Sequence, residues 1–328
     1  LLNLLLKIFM EQNYDNIPEF KTIGEVANET INYIENRRKH LITPLKTRWS
    51  KFNNACCGGI EPNMVFTIAG TSGTGKSSFA NMLQLDLIDL NLSEEVVILN
   101  ISLEMVSYRN VGRALGSKLK KTTSELYSAN TDLSDKDYKN VKQMANIFKK
   151  YPIYYIDTPC TVHSLGTTID YFHKHVAKGK WLIVVLDHVL LVGGEGGERS
   201  VITDLQKLFI EKKKLFRTTI IQLSQMNRNI ESPERINNPS AHFPMRSDLA
   251  ASDAIFQASD YVIALSRPEL LNLQFCSVNR LHDKNKIYLH FLKVRDGEPC
   301  ILEFDNDLKY GNLIEANDAI QQQKVVFK

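Results

Sequence analysis

The 328-residue sequence contains only 5 cysteines, 10 prolines and 16 glycines, and each shortage excludes a class of protein. The cysteines, Cys56, Cys57, Cys160, Cys276 and Cys300, are odd in number, with one adjacent pair and no C-x-x-C spacing. They supply neither a disulfide framework nor a zinc site, and they point to a reducing, cytoplasmic setting. Scarce proline and glycine beside 43% hydrophobic residues leave little room for collagen-like or extended disordered chain. Neither charge sign dominates: 40 Lys+Arg against 37 Asp+Glu give a formal charge of +3. That excludes a basic nucleic-acid tail or an acidic solvating chain, so any contact with nucleic acid must come from local clusters. A membrane-spanning run is missing too. The apolar start, Leu1 to Met10, is far below spanning length and has neither a basic leading segment nor a small-residue cleavage site. Because Met10 is followed at once by polar residues, Leu1 to Phe9 reads either as native chain or as sequence upstream of the true start. What remains is a folded soluble protein with no membrane partner, long enough for two average domains or for one α/β domain with extensions.

Hydropathy organises the rest. Ile23, Val26, Ala27, Ile31 and Ile34 recur at three- and four-residue steps, one stripe of a helix that closes near Arg37-Arg38-Lys39. Such a stripe needs a partner, either its own domain or a neighbouring subunit. Leu41 to Asn63 carries turn signals at Gly58-Gly59 and Pro62-Asn63 and reads as a lead-in loop region. From Met64 onward, short apolar runs alternate with helical stretches. Strands are expected at 65–69, 96–101, 153–156, 182–186, 219–223 and 261–265, then a hairpin of 286–294 and 299–304. Helices are expected at 77–90, 106–118, 136–149, 164–177 and 200–215. Continuous apolar strands alternating with helices predict an α/β fold with a mostly parallel central sheet flanked by helices. His173 and His175, two apart on a helix, face different directions and read as surface histidines. The run Lys212-Lys213-Lys214 reads either as a helix end or as an outer nucleic-acid contact.

One motif carries chemistry. Gly70-Thr71-Ser72-Gly73-Thr74-Gly75-Lys76-Ser77, with Ser78 after it, satisfies G-x-x-x-x-G-K-[ST] between an expected strand and an expected helix. Such a loop wraps backbone N–H groups around phosphates at a positive helix end, predicting ATP and Mg²⁺ as ligands. Lys76 would neutralise the terminal phosphates and Ser77 would hold Mg²⁺. A second magnesium ligand, a carboxylate, belongs at the carboxyl end of a buried strand, where Asp187 closes Leu182-Ile183-Val184-Val185-Leu186. Glu104, after the second strand, is the candidate to orient the attacking water, and Gln225, after the fifth, to sense the terminal phosphate.

From about Pro44 to about Tyr310 these motifs resemble the carboxyl-terminal motor domain of DnaB-type replicative helicases, hexameric ATPases with a RecA-like core. The resemblance rests on Ser102-Leu103-Glu104-Met105 with Arg113 nine residues beyond Glu104, on Tyr155-Ile156-Asp157-Thr158-Pro159, on Val185-Leu186-Asp187-His188, and on Leu223-Ser224-Gln225-Met226-Asn227-Arg228. It extends through Ser247-Asp248-Leu249, Gln257-Ala258-Ser259-Asp260 and Lys293-Val294-Arg295-Asp296-Gly297. It implies a tail over 1–20, a linker helix over 21–40, a RecA-like ATPase domain over 41–311 ending in a β-hairpin, and a tail over 312–328. It further implies that Arg113 serves the site and that Lys293 and Arg295 act as a finger on the nucleotide of the adjacent subunit of a homo-hexamer.

In that family single-stranded DNA is held by two loops. Here they correspond to Gly193, Gly194, Gly196, Gly197 and Arg199, and to the segment from Arg228 to about Asp253 with Arg235 and Arg246. Plain connection is the other reading of the glycine-rich loop. Where the family has an arginine, a glutamate and a glycine after Asp-Leu, this chain reads Ala250-Ala251-Ser252-Asp253, which removes the usual gripping side chain. The residues before Lys21 are too few for the helical domain that usually recruits primase, so either the sequence is a fragment of a longer chain or a loader or primase would be met differently. The expected function is an ATP-dependent, ring-forming DNA helicase moving 5′ to 3′ in replication. The alternatives are a RecA-like ATPase that binds DNA or protein without unwinding, and, more distantly, a strand-exchange recombinase.

Overall fold

The computed structural model describes residues 20–316 apart from 251, 274, 278–280 and 283. The expected tail residues 1–19 and 317–328 lie outside the described residues. The chain divides into two units, with the boundary between Thr43 and Pro44. In the first, the helix expected from the Ile23 to Ile34 stripe forms as α1 (Ile23–Arg38). Thr22 and Glu25 close a capping box at its start, and Arg37 and Arg38 oppose the dipole at its end. None of its residues is buried, and Ile23 is 85% exposed.

The second unit holds β1 (Val65–Gly70), β2 (Val96–Ser102), β3 (Ile153–Ile156), β4 (Trp181–Asp187), β5 (Thr218–Gln225) and β6 (Tyr261–Ser266). It continues with β7 (Phe275–Cys276), β8 (Leu281–His282), β9 (Lys286–Val294), β10 (Ile301–Asp307) and β11 (Asn312–Glu315). The helices are α2 (Ser50–Ala55), α3 (Lys76–Asp89), α4 (Ser107–Leu119), α5 (Thr123–Tyr127), α6 (Asp135–Phe148), α7 (Val162–Tyr171), α8 (Glu198–Leu215), α9 (Pro233–Ile236) and α10 (Ser252–Ala258). A 9-stranded sheet runs in the order β11-β10-β9-β6-β1-β5-β4-β2-β3, and β7 pairs with β8 in a separate ribbon. The strands from β6 to β3 are mutually parallel, while β9, β10 and β11 are each antiparallel to their neighbour. Alternate residues feed two cores. Phe66, Ile98, Ile183 and Ile221 join Phe79 and Leu83 on one side, and Val97, Leu99, Val184 and Ile220 join Ile169, Leu205 and Phe209 on the other. Burial on both faces is what the unbroken apolar strands require.

Two expectations are corrected. The lead-in region 41–63 is not a plain loop. Leu45 bridges Ile60, α2 forms, and Trp49 stacks on Phe79 at 4.8 Å between centroids while its Nε1 donates to the Leu313 carbonyl at 3.1 Å. The residue before α2, Trp49, offers no side-chain cap to its start. Instead the Glu315 carboxylate accepts from the Lys51 and Phe52 N–H groups at 3.0 Å each. An anion at a helix start neutralises its open donors, but here it comes from the far end of the chain. For the same reason residues 312–315, expected as the start of the tail, form an edge strand of the sheet. The expected helix 164–177 is α7 extended by a π-helical turn, Phe172–Ala177. His173 there stacks on Phe216 at 4.0 Å. The basic run ending α8 is also occupied: Lys212 pairs with Asp170 at 2.7 Å and Lys213 with the buried Asp260 at 2.5 Å.

Trp49→Ala should cost about 3–5 kcal/mol of stability, since it leaves a large cavity and an unpaired Leu313 carbonyl. Urea unfolding followed by circular dichroism measures it. A loss below about 1 kcal/mol would mean that the segment is not part of the core.

Candidate active site

The carboxyl ends of the parallel strands share one edge of the sheet, with Gly70 level with Gln225 and Ser102 level with Asp187. Side chains leaving those ends converge on one crevice. β1 passes directly into the loop Thr71 to Gly75, and α3 begins at Lys76. Gly75, the cap residue, has φ +98°, and a Cβ there would sit 2.9 Å from the Leu308 side chain, so only glycine suits. A Cβ at Gly70 would meet Thr74 Oγ1 at 2.5 Å. Thr74 is itself buried, its hydroxyl donating to the Thr71 carbonyl at 2.9 Å. Glycine at the cap position brings no side chain to the start of α3, so its first N–H groups and its positive end face the crevice.

Lys76 Nζ donates to the Gly70 carbonyl at 2.8 Å, the Thr71 carbonyl at 2.9 Å and Gln225 Oε1 at 3.2 Å. Burial pulls its pKa down to about 8, against the pull of Asp187 and Glu104 in the other direction. Ser77 Oγ donates to Asp187 Oδ2 at 2.8 Å. Asp187 is 7% exposed, and burial raises its pKa although the Ser77 hydroxyl opposes the shift. Its carbonyl accepts from Leu103 N–H at 2.7 Å and Glu104 N–H at 3.4 Å, so one residue anchors both the Ser77 side chain and the Glu104 turn.

Lys76, Ser77, Glu104 and Gln225 line a cavity of about 390 Å³, with Asp187 behind Ser77. Of the expected residues it brings together Ser72, Gly73, Gly75, Lys76, Ser77, Ser78, Glu104, Arg113 and Gln225. Lys121, Thr123, Arg267 and the turn Leu308 to Gly311 also line it, and sequence reasoning missed them. Arg267 was within reach, because it directly follows β6 at the same end of the sheet where Gln225 closes β5. The turn was not: β10 runs parallel to β6 only because β9 reverses the chain between them.

Lys293 and Arg295 lie at the other edge. Arg295 N–H donates to the Asp260 carbonyl, and Asp260 N–H to the Val65 carbonyl, so Arg295 is level with the start of β1. β1 is 6 residues long. Roughly 16 Å of strand therefore separates Arg295 from its own phosphate loop. The Arg295 guanidinium contacts the Asp260 carboxylate at 2.5 Å. Lys293 Nζ caps the end of α10, donating to the Phe256 carbonyl at 2.6 Å and the Gln257 carbonyl at 3.2 Å. Partial burial and the nearby Arg295 lower its pKa.

Gly193, Gly194, Gly196 and Gly197 form an exposed loop leading into α8, Arg199 is exposed on the first turn of α8, and Arg228 is exposed too. Arg235 is turned inward: it pairs with the buried Asp248 at 2.6 Å and holds the Phe243 carbonyl. Arg246 pairs with Asp253 at 2.8 Å and lies over the Phe256 ring.

Residues 44–311 match the family model of the DnaB-like helicase C-terminal domain. The chain belongs to that family. Its fold agrees with a solved structure described as an ATPase domain, at 19% identity and a TM-score of 0.77 over 91% of this chain and 100% of that one. It agrees also with a DnaB-like replicative helicase described with its interactions with primase, at 18% identity and a TM-score of 0.74 over 97% of this chain and 72% of that one. No curated protein matches the chain significantly. The fold is thus RecA-like, and the DnaB-like family is one of nucleotide-binding replicative helicases. The residues suit such a ligand: open helix donors and a partly buried lysine for phosphates, and two hard oxygens 2.8 Å apart, on Ser77 and Asp187, for Mg²⁺.

Lys76 must carry its proton to pair with a triphosphate, and bound phosphate would hold that proton. Affinity should therefore be flat below about pH 8 and fall by up to about tenfold per unit above it. Titration with a fluorescent ATP analogue checks this. An unchanged affinity up to about pH 9.5 would remove the Lys76 charge from the contact.

Proposed function

We propose that this chain is the motor of a ring-forming DNA helicase, hydrolysing ATP to move along single-stranded DNA in replication, 5′ to 3′ by family analogy. The observation that carries the reading is the meeting of Lys76, Ser77, Asp187, Glu104 and Gln225 at the carboxyl edge of the sheet. Lys76 and the loop donors bind the phosphates of ATP. Ser77 and Asp187 hold Mg²⁺, which when bound supplies positive charge against the phosphate oxygens. Glu104 orients a water and accepts its proton as the water oxygen bonds to the γ-phosphorus and the bond to the ADP oxygen breaks. Gln225, hydrogen-bonded to Lys76, links that event to β5 and to the loop beyond it.

Charge on the transferred phosphoryl group needs further cations. Lys293 and Arg295 stand too far from their own loop to supply them, which supports their acting on the nucleotide of an adjoining copy in a homo-hexamer. The exposed apolar residues of α1 fit the same ring as a docking stripe for the neighbouring subunit. Arg199, Arg228 and the backbone N–H groups of the glycine-rich loop are the candidates for single-stranded DNA, while Arg235 serves to hold its loop closed. Primase or a loader is the proposed partner, by analogy with the relative described with primase. The pairing of Arg246 with Asp253 favours a second reading, a nucleotide-controlled DNA- or protein-binding assembly that does not unwind, because it neutralises a cation on the proposed DNA loop.

Lys76→Ala and Arg295→Ala should each lower ATP turnover about 10³-fold. Mixing the two variants should restore part of it, since a loop from one then meets a cation from the other. Mixtures that stay inactive would show that the cations do not act between copies. Unwinding of a forked duplex, with turnover stimulated by single-stranded DNA and weakened by salt, separates the motor from the non-unwinding assembly.

A further inference from the structure

The side chain of Glu104 is exposed, so its aim depends on the four-residue turn from Ser102 to Met105. That turn is pinned on both sides of Glu104. On one side the Asp187 carbonyl takes the Leu103 N–H at 2.7 Å. On the other, Ser102 Oγ donates to the Met105 carbonyl at 2.5 Å. A hydroxyl has one proton. Since that proton goes to Met105, the Ser102 oxygen can only accept from its second neighbour, and Asn110 Nδ2 meets it at 2.6 Å. Both residues are enclosed, Ser102 at 1% and Asn110 at 3% exposure, so water does not compete for either.

Asn110 lies on α4, three residues before Arg113. The start of that helix is held independently, with Ser107 N–H and Oγ both donating to Asp157 Oδ2 at 2.7 Å. Asn110 therefore joins the helix that carries Arg113 to the turn that carries Glu104. A leucine of similar size would fill the space, but it would leave the Ser102 oxygen without a donor and free to rotate. An aspartate would keep the shape and reverse the sense: a carboxylate accepts, so it would draw the Ser102 proton away from the Met105 carbonyl.

We infer that Asn110 is a positioning residue for ATP cleavage, setting the direction of the Ser102 hydroxyl and through it the aim of Glu104. The inference rests on Glu104 as the water-orienting group. A misplacement of about 1 Å at such a group can cost up to about 10²-fold in rate while leaving substrate contacts alone.

Asn110→Leu and Asn110→Asp should each lower kcat about tenfold or more, with affinity for a fluorescent MgADP analogue kept within about twofold. In a Glu104→Gln background, Asn110→Leu should lower the residual rate no further, because the two act in series. Unchanged kcat in both variants would overturn the inference, as would a parallel loss of nucleotide affinity or a further drop in the Glu104→Gln background. Should Asn110→Leu fail to fold, the isosteric Asn110→Asp carries the same comparison. The underlying site assignment fails separately: Glu104→Gln with undiminished turnover would sink it whatever Asn110 does.

Discussion

Lys76 and Asp187 are opposite charges drawn out of water on neighbouring elements, the first hydrogen-bonded to Gln225 and the second to Ser77. Burial works against the charged form of both, lowering the lysine pKa and raising that of the aspartate. Such an arrangement costs folding energy unless a ligand of complementary charge joins it. In the proposed reading a phosphate chain answers the lysine and a divalent cation answers the aspartate. The neighbouring features follow from keeping that pair in place: a glycine cap that lets Leu308 approach, an open helix start, and a carbonyl on Asp187 that ties down the Glu104 turn.

The sheet gives the molecule two chemically different edges. At the carboxyl edge, parallel strands end together and deliver Gly70, Ser102, Asp187 and Gln225 to one level. At the amino edge, the buried Asp260 gathers the Val65 N–H, Lys213 and Arg295. Asp260 thereby balances cations that would otherwise repel one another, and it holds Arg295 at the surface, half exposed. A parallel sheet cannot bring these edges together within one copy, since the length of β1 separates them. The proposed use of both edges in one reaction therefore requires two copies of the chain.

Much of the site was legible from local pattern. The phosphate loop and the residues at the ends of three buried strands, Glu104, Asp187 and Gln225, obey a rule that needs only a strand and the direction of the chain. Arg267 obeys the same rule and could have been found. The turn from Leu308 to Gly311 could not, because its approach depends on the reversal at β9. Arg235 shows the converse: an arginine in a polar loop suggests a phosphate contact, whereas the fold commits it to the buried Asp248. Glu315 capping α2, and Trp49 reaching Leu313, join chain segments 263 and 264 residues apart, separations at which periodicity carries no information.

The sequence by itself determined the alternation of strand and helix, the anion-binding loop and the identity of the groups that carry charge, because these depend on neighbours within a few residues. Tertiary structure alone decided which cations remain available, which segments thought to be connectors enter the core, and which buried amide directs the hydroxyl behind Glu104. Those outcomes depend on desolvation and on single hydrogen bonds between distant segments, and both exist only once the sheet has assembled.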